Sequence, residues 1–379
     1  MDLKLNEQQQ MMKDATRQFA EQKLIPQAEE AERNDGNDPA LLAELAAMGY
    51  CGIGTPEEYG GSNLDAVSYA LMIAELSYGD ASIGVTVSVT NSLTQDPIMM
   101  FGTEEQKQRW LPDLATGKKW GGFALTEPSA GTDSAGTRTT AALDGDAYVV
   151  NGTKNFITNG GFADTFVVFV RGDREDKHHG ISAFVVEKGT PGFSIGKKED
   201  KMGIRASSTT ELVFEDCRLP KDNLVGEWGG GFKVAMKTLD NGRIGIAAQA
   251  HGIAERAFDL AVKYAKEREQ FDRPLAKFQH NQFRLADMAT ELEASRLLLM
   301  QAAWEKDQGL RHSKAAAMSK LYSSEASHRI CHAALQMHGG YGYIKEYEVE
   351  RLYRDQRITE IYEGTSEAMR MVIAGSVVR

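Results

Sequence analysis

The hydrophobic period of this sequence changes twice, and this change restricts the possible folds more than any other feature. Residues 6 to about 115 carry apolar side chains at helical spacing. From about Gly121 to Val225, apolar side chains fall in short runs rich in β-branched and aromatic residues, such as Thr165 to Val170. From Gly231 onward helical spacing returns, and Pro274 is the only proline. The pattern therefore predicts helices, then strands, then helices.

These three parts give the predicted domain limits: an N-terminal α-helical domain at 1–120, a central β domain at 121–230 and a C-terminal helical bundle at 231–379. Within the β part, Asn151-Gly152 separates two β-rich runs, Ala147 to Val150 and Thr153 to Thr158. Asn-Gly between two such runs is the strongest short signal for a hairpin. We therefore expect the chain to reverse direction at Asn151-Gly152.

The charge balance argues against nucleic-acid binding, and the lengths of the apolar runs argue against a transmembrane helix. Lys and Arg number 43 and Asp and Glu number 54, so the formal net charge is −11. A polymeric nucleic-acid partner needs a basic face, which this balance argues against. No apolar run approaches the length of about 18 residues that a transmembrane helix requires. We expect neither nucleic-acid binding nor a transmembrane segment.

Cysteine usage and the N-terminal residues indicate the compartment. Three widely spaced cysteines, Cys51, Cys217 and Cys331, form no Cys-x-x-Cys motif, which fits a reducing environment. The first residues show neither a signal-peptide apolar stretch nor an Arg-rich transit pattern. The expectation is a cytoplasmic protein of bacterial type, and a processed mitochondrial-matrix form fits as well.

Several common cofactor motifs are absent from the sequence. No Gly-x-Gly-x-x-Gly follows a predicted strand, and neither a P-loop nor a His-Glu-x-x-His motif occurs. The eight histidines are scattered, and the adjacent pair His178-His179 lies in a polar loop pattern. We therefore predict no metal site. Either a less common cofactor chemistry or a binding function remains.

Four segments, in this order and at these separations, resemble the acyl-CoA dehydrogenase family over essentially the whole chain. They are Phe123–Asp133 (FALTEPSAGTD), Asn155–Gly160 (NFITNG), Arg268–Phe271 (REQF) with Gln336–Gly342 (QMHGGYG), and Ile361–Glu367 (IYEGTSE). Two further segments, Gly196–Lys201 and Asp240–Gly245, look most like the short-chain, butyryl-CoA branch.

The resemblance implies an α+β fold with an N-terminal helical domain, a central β-barrel-like or sandwich domain and a C-terminal four-helix bundle. It implies FAD bound between the β domain and the bundle. It also implies a homotetramer, a dimer of dimers, in which a neighbouring subunit touches the FAD. The implied electron acceptor is electron-transferring flavoprotein.

The implied reaction is α,β-dehydrogenation of an acyl-CoA thioester to the trans-2-enoyl-CoA. A proton leaves the α-carbon and a hydride leaves the β-carbon for the flavin, so a carboxylate base and a redox cofactor are needed. Glu363 matches the family's base, although outside that match it would be an ordinary loop glutamate. Some relatives carry the base at the position of Gly242, and glycine cannot serve there. By resemblance, the Glu363 backbone N–H and an FAD ribityl hydroxyl polarise the thioester oxygen.

Contacts to the acyl-CoA are likewise implied by the resemblance. Gly242 and Gln249 are seven residues apart on a predicted helix, so they share a face at about 10.5 Å separation. We hypothesise that Gln249, with Thr359, closes the pocket to long acyl chains. Ser88 to Pro97 contains no Arg or Lys to pair with a dicarboxylic substrate, and compact branched or cyclic acyl groups stay open. The predicted substrate-binding residues are Thr132, Asp240, Gly242, Arg243, Gln249 and Gly364.

The predicted FAD contacts fall into two sets. The flavin set contains hydroxyls, backbone donors and an aromatic ring expected to pack on the flavin: Phe123, Leu125, Thr126, Gly131, Thr132, Phe156 and Thr158. The second set is expected to reach the FAD pyrophosphate and adenosine, and the guanidinium of Arg268 suits phosphate. It contains Arg268, Gln270, Phe271, Gln279, Gln336, Gly339, Gly340, Thr365 and Glu367. One departure is Asp272, where relatives usually have Gly after the Phe, but Asp tolerates the left-handed conformation.

Three alternatives remain open from the sequence. An acyl-CoA oxidase would share the two-hydrogen chemistry but tends to be considerably longer. A dehydrogenase of cyclic acyl-CoA, such as cyclohexane-carboxyl-CoA, would differ only in the acyl pocket. A non-catalytic flavin- or CoA-binding subunit of an electron-transfer complex would belong to a different class, and the joint presence of Glu363 and Arg243 argues against it.

Overall fold

The computed structural model describes residues 4–172 and 179–378, so His178 of the predicted polar loop lies outside the described residues. The N-terminal part consists of helices, two of them extended by π-helical turns at Ala20–Leu24 and Val89–Gln95. The α-helices are α1 (Glu7–Phe19), α2 (Ile25–Arg33), α3 (Pro39–Ala47), α4 (Ala66–Gly79), α5 (Ala81–Ser88), α6 (Asp96–Phe101) and α7 (Glu104–Ala115).

Local capping explains where the outer helices begin. At α1, the backbone N–H of Gln9 donates to Asn6 Oδ1 at 2.8 Å and the Asn6 N–H donates to Gln9 Oε1 at 3.0 Å. Such a reciprocal capping box satisfies two orphan donors of the first turn. Thr103 and Gln106 repeat the arrangement at α7. The central helix α4 is different: nearly all its residues are buried, so it lies inside the fold.

The middle part forms one mixed sheet of eight strands. Their order is β6-β7-β3-β2-β4-β5-β8, and β1 pairs with β4 in parallel. All seven residues of β4 are buried, so this strand is covered on both faces. The strands are β1 (Gly121–Ala124), β2 (Thr140–Asp144), β3 (Ala147–Thr158), β4 (Thr165–Arg171), β5 (Ile181–Glu187), β6 (Phe193–Lys198), β7 (Thr209–Pro220) and β8 (Leu224–Val225).

The predicted hairpin at Asn151-Gly152 is wrong, because both residues lie inside β3. The chain reverses earlier, where Asp144 pairs with Ala147 and Gly145 adopts φ 63°. Gly152 instead marks a register shift against β7, and a Cβ there would lie 2.7 Å from the Thr139 Cα. Glycine inside a strand often marks a bulge or a close backbone approach rather than a turn.

The C-terminal part is built on three long helices, with α10 packed against α8, α9, α11 and α12. Helix α4 of the N-terminal part also packs against α8. A two-stranded ribbon follows α8. The elements are α8 (Gly231–Glu267), β9 (Glu269–Gln270), β10 (Arg273–Pro274), α9 (Gln279–Asp307), α10 (Ser313–His338), α11 (Val349–Gln356) and α12 (Ser366–Val377).

The observed order of helices, sheet and helices confirms the predicted three-part layout. A single apolar cluster extends through all three parts, from Leu24 through Phe166 in the sheet to Ala247 on α8 and Ala316 on α10. The parts are therefore joined by buried surface rather than by linkers alone. Among the helices of residues 4–172 and 179–378, none has both the length and the apolar character needed to cross a bilayer.

The close approach of α4 and α8 generates a stability prediction. A Cβ on Gly252 would lie 2.0 Å from the Ala74 carbonyl oxygen, so the two backbones can meet only if residue 252 has no side chain. We expect Gly252→Ala to destabilise the fold by about 1–3 kcal/mol through overpacking, measured as a lower thermal midpoint. The matched control is Gly375→Ala on α12, where the added Cβ would meet no described atom within 4 Å. Equal midpoints for the two variants would contradict this explanation.

Candidate active site

A strained loop carries Glu363 to the side of α8. Glu363 has φ 51° and Gly364 has φ 102°, both outside the region that L-residues usually occupy. A Cβ added at Gly242 would lie 2.1 Å from Glu363 Oε2, so the carboxylate occupies the space that a side chain on α8 would otherwise fill. A non-glycine residue in this conformation costs of order 1–3 kcal/mol and persists only where its surroundings hold it.

The buried environment of Glu363 raises the pKa of its carboxyl group above the usual value for a glutamate. The residue is half-buried, and its Oε2 is buried and meets no hydrogen-bond partner among the described residues. Burial raises the pKa of Glu363 to about 7, although the cations of Lys320 and Arg243 oppose that rise. A carboxylate with a pKa near neutrality is well matched to accepting a proton at physiological pH.

Two cations approach this carboxylate from different helices. Lys320 of α10 is fully buried, and its Nζ donates to the Gly364 carbonyl oxygen at 2.6 Å. Arg243 of α8 is also buried and donates through Nη1 to Asp240 Oδ1 at 2.6 Å. The second oxygen of Asp240 accepts from the Ser313 hydroxyl. Arg243 Nε is buried without a hydrogen-bond partner among the described residues.

Gln249 lies further along α8 and is tied to the base loop. It is fully buried; its Oε1 accepts from the Tyr362 hydroxyl, and its Nε2 donates to the Ala81 carbonyl at 2.8 Å. Thr359 is also buried, but its hydroxyl donates to the Gln356 carbonyl at 2.7 Å. Burial raises the pKa of Tyr362 well above its usual value, so its hydroxyl stays neutral. Gln249 therefore has a fixed orientation beside the loop.

The segment after β1 is anchored by a buried ion pair. Lys154 Nζ lies 2.7 Å from Glu127 Oε1 and 3.1 Å from the Leu125 carbonyl oxygen. The Glu127 carboxylate also accepts from the backbone N–H groups of Arg138 and Thr139. Burial opposes ionisation of Glu127, but Lys154 and these donors outweigh it and lower its pKa. The loop that carries the predicted flavin contacts is therefore held at its base.

The predicted flavin residues lie on β1, on the segment that follows it and at the end of β3. The Asn155 N–H donates to the Thr126 carbonyl at 2.8 Å, which joins the segment after β1 to the end of β3. Phe156 follows at a bulge with φ 58°, and its side chain is 60% exposed although apolar. Thr158 ends β3 half-buried, while Gly131 and Thr132 lie on an exposed turn. Phe123 packs inward, its ring centroid 4.9 Å from that of Phe169.

The residues predicted to contact the FAD pyrophosphate and adenosine lie in more than one place. A cavity of about 430 Å³ is lined by Arg268, Gln270, Gly339 and Gly340, with Tyr264 and Tyr341. Arg268 stacks over the Tyr341 ring, 5.6 Å from its centroid. The exposed residues Phe271, Gln279 and Gln336 do not line this cavity, and Thr365 and Glu367 lie instead at the start of α12, where Thr365 caps the helix. Asp272 adopts φ 60°, the left-handed conformation expected of it.

Sequence reasoning missed Lys320, Tyr362, Lys154 and Glu127. Lys320 carries a weak signal, because it is flanked at helical spacing by small residues such as Ala316 and Ser323, which are typical of tightly packed helix faces. A lone lysine on such a face must be buried or break the packing. Lys154 stands inside a strand, where no comparable pattern distinguishes it.

Comparison with known proteins defines the family. The chain matches the acyl-CoA dehydrogenase N-terminal domain over residues 6–118, the middle domain over 122–217 and the C-terminal domain over 229–378. The chain therefore belongs to the acyl-CoA dehydrogenase family, as predicted.

Three relatives make the likeness specific. The short-chain specific mitochondrial acyl-CoA dehydrogenase of Rattus norvegicus is 50% identical over 377 residues, covering 100% of this chain and 92% of the rat protein. The butyryl-CoA dehydrogenase structure from Megasphaera elsdenii superposes with a TM-score of 0.98 at 48% identity, with 100% of both chains covered. A solved structure from work on the electron transferring flavoprotein of Acidaminococcus fermentans and electron bifurcation matches with a TM-score of 0.99 at 53% identity, again over 100% of both chains.

The raised pKa of Glu363 predicts a pH-dependent gain in stability on its removal. The carboxyl titrates near 4.5 when unperturbed and at about 7 in the fold, so folding disfavours its ionised form and the resulting loss of stability is complete above pH 7. We expect Glu363→Gln to melt at a higher temperature than the wild type at pH 8.5. The difference should shrink as the pH falls toward 4.5, where the unfolded chain also takes up the proton. A difference that does not depend on pH would contradict the assigned pKa.

Proposed function

We propose that this protein is an FAD-dependent dehydrogenase that converts short-chain acyl-CoA thioesters to trans-2-enoyl-CoA. The observation that carries the proposal is the Glu363 carboxylate beside Gly242, with a buried Oε2 and a pKa near neutrality. The likeness to short-chain specific and butyryl-CoA dehydrogenases over the full chain supports the substrate class.

The residues of the flavin set have the chemistry that FAD binding requires. Phe156 offers an exposed aromatic face that would otherwise be costly in water, and it follows Asn155, whose N–H bonds the Thr126 carbonyl. A Cβ at Gly131 would meet no described atom within 4 Å, so a ligand can approach that backbone closely. At the other end, Arg268 and the glycines at 339 and 340 suit a pyrophosphate. When bound, FAD supplies the acceptor for the β-hydrogen.

Glu363 is the proposed general base. Its Oε2 takes the α-proton while the C–H bonding electrons form the new α,β double bond and the β-hydrogen leaves as hydride. A carboxylate is too weak a base for an unactivated α-carbon, so the thioester oxygen must accept donors where negative charge develops. The Glu363 backbone N–H is the proposed donor from this chain. The Asp240–Arg243 pair and Thr132 are the proposed contacts toward CoA.

The partners belong to the same proposal. Arg268 and the exposed Phe271 stand apart from the base loop, which is consistent with FAD shared between subunits of a homotetramer. The 53% identical chain from work on an electron transferring flavoprotein supports such a flavoprotein as the electron acceptor. The full-length likeness to the Megasphaera elsdenii enzyme supports a bacterial-type, cytoplasmic setting. The family matches at 6–118, 122–217 and 229–378 support the proposed domain limits at 120 and 230.

Anaerobic addition of butyryl-CoA tests the role of Glu363. We expect the wild type to bleach its flavin, and Glu363→Gln to keep FAD and bind acyl-CoA while losing at least about 100-fold in reduction rate. The matched control is Glu360→Gln, a carboxylate of the preceding turn that pairs with Arg357 at 3.0 Å. Bleaching of the Glu363→Gln variant at the wild-type rate would overturn the assignment. A wild type that binds both ligands without bleaching would indicate a binding subunit, and rapid reoxidation by air would indicate an oxidase.

The position of Gln249 generates a prediction about chain length. Its side chain is fixed by Tyr362 and the Ala81 carbonyl, so polar bulk stays in place beside the loop. We expect the wild type to reduce faster with C4 than with C12 acyl-CoA, in a panel that includes branched and cyclic members. Gln249→Ala should shift the preference toward longer chains, whereas Gln301→Ala on the exposed face of α9 should not. Faster turnover of C12 than C4 by the wild type would refute this hypothesis.

A further inference from the structure

Lys320 occupies a position that its chemistry does not favour. It lies within α10, its side chain is fully buried, and the adjacent side chains of Ser319 and Ser323 are small and buried. A lysine is almost never fully buried unless it is paired, because leaving water disfavours its charge. Its Nζ donates a hydrogen bond to the Gly364 carbonyl oxygen at 2.6 Å. The contact therefore joins the middle of a long helix to the residue that follows the base.

The loop that receives this bond is strained. Glu363 and Gly364 both have positive φ, at 51° and 102°. Such a conformation persists only when several contacts over-determine it. Tyr362 is bonded to Gln249 just before the strained Glu363, and Thr365 caps α12 after Gly364, with its Oγ1 accepting from the Ala368 N–H at 3.2 Å. Lys320 acts between these two anchors, on the residue that follows the strained Glu363.

The charges around the loop place cations close to the Glu363 carboxylate. Lys320 faces the carboxylates of Glu363, Glu360 and Glu367 and the guanidinium of Arg243. Glu363 in turn faces the cations of Lys320 and Arg243, and the phenols of Tyr69 and Tyr362 lie near enough to sense its charge. Burial lowers the pKa of Lys320 to about 8, so it is still largely cationic at neutral pH. A cation near a desolvated carboxylate favours the ionised form.

We propose that Lys320 is a positioning residue for proton abstraction: by donating to the Gly364 carbonyl and facing Glu363 with a positive charge, it holds the base loop in its strained conformation and keeps the base ionised. This inference rests on the proposed role of Glu363 as the base. Lys320 does not touch the reacting atoms, and its effect reaches the reaction through the loop and through the charge of Glu363.

Two readouts on the holoenzyme separate this role from a merely structural one. The first is the pH dependence of flavin bleaching by butyryl-CoA. In Lys320→Met, which is unbranched and one atom shorter and loses the charge, the rise of the rate should move to higher pH by roughly one unit, because the carboxylate loses a cationic neighbour. The second is hydrogen–deuterium exchange of the amides of residues 361–366, which should be faster when the Gly364 carbonyl has lost its donor.

A second variant and a control keep the test decisive. Lys320→Gln retains an N–H donor without the charge, so it should shift the pH profile in the same direction even if the methionine variant does not fold. Lys201→Met is the matched control: Lys201 Nζ donates to the Ser207 carbonyl at 2.7 Å, and burial lowers the pKa of Lys201 to about 8, but it lies between β6 and β7. Its profile and its exchange at 361–366 should match those of the wild type.

The outcomes distinguish the two proposals. An upward shift of the profile in both Lys320 variants, with faster loop exchange in Lys320→Met and neither change in Lys201→Met, supports the positioning role. A wild-type profile and wild-type exchange in those variants, while Glu363→Gln abolishes bleaching, would overturn the Lys320 proposal and leave the base in place. Bleaching by Glu363→Gln at the wild-type rate would instead remove the proposed function. An equal effect of Lys201→Met would overturn the proposal, because it would show that losing a desolvated lysine far from the loop has the same consequence.

Discussion

The Glu363 carboxylate lies beside α8 in the space that a side chain at position 242 would fill, so the placement of the base depends on Gly242. A Cβ at position 242 would lie 2.1 Å from Glu363 Oε2 and 3.1 Å from its Cδ, so the carboxylate would have to move away from its present position. Reaching this position puts Glu363 at φ 51° and requires a loop that turns sharply between α11 and α12. The strain is held by contacts from two other helices, α8 through Gln249 and α10 through Lys320. The long helices therefore act as a frame for one loop.

Two buried lysines hold two loops in the same way, with opposite consequences for the neighbouring carboxylates. Lys154 and Lys320 each donate to a loop carbonyl, that of Leu125 or of Gly364. Glu127 is bonded directly by Lys154 and by two backbone N–H groups, and its pKa is lowered. Glu363 has its Oε2 left without a donor among the described residues, and its pKa is raised to about 7. Direct hydrogen bonding thus makes one carboxylate structural, and its absence leaves the other able to accept a proton.

The sequence predicted the parts of the structure that depend on local periodicity and on recognisable segments. The change of period gave the order of helices, strands and helices, and the resemblance selected Glu363 and the flavin set, whose roles remain predictions. The turn prediction failed at Gly152, because Asn-Gly is compatible with a bulge as well as with a turn. The register of β3 against β7, which decides between the two, is a long-range property. The same dipeptide logic applied to Asp144-Gly145 would have found the true reversal. Lys320 could not be assigned, since its contact with Gly364 joins residues 44 positions apart in the chain.

The net charge of −11 and the chemistry of the site show why a whole-chain balance does not predict the sign of a ligand. The proposed ligands, FAD and acyl-CoA, are both anionic, yet the cations nearest the proposed base, Lys320 and Arg243, are buried, where solvent and salt screen them least. A few buried cations next to a strained loop can therefore outweigh many exposed carboxylates at the point where charge develops. The field at Glu363 is set by two side chains, Arg243 from α8 and Lys320 from α10.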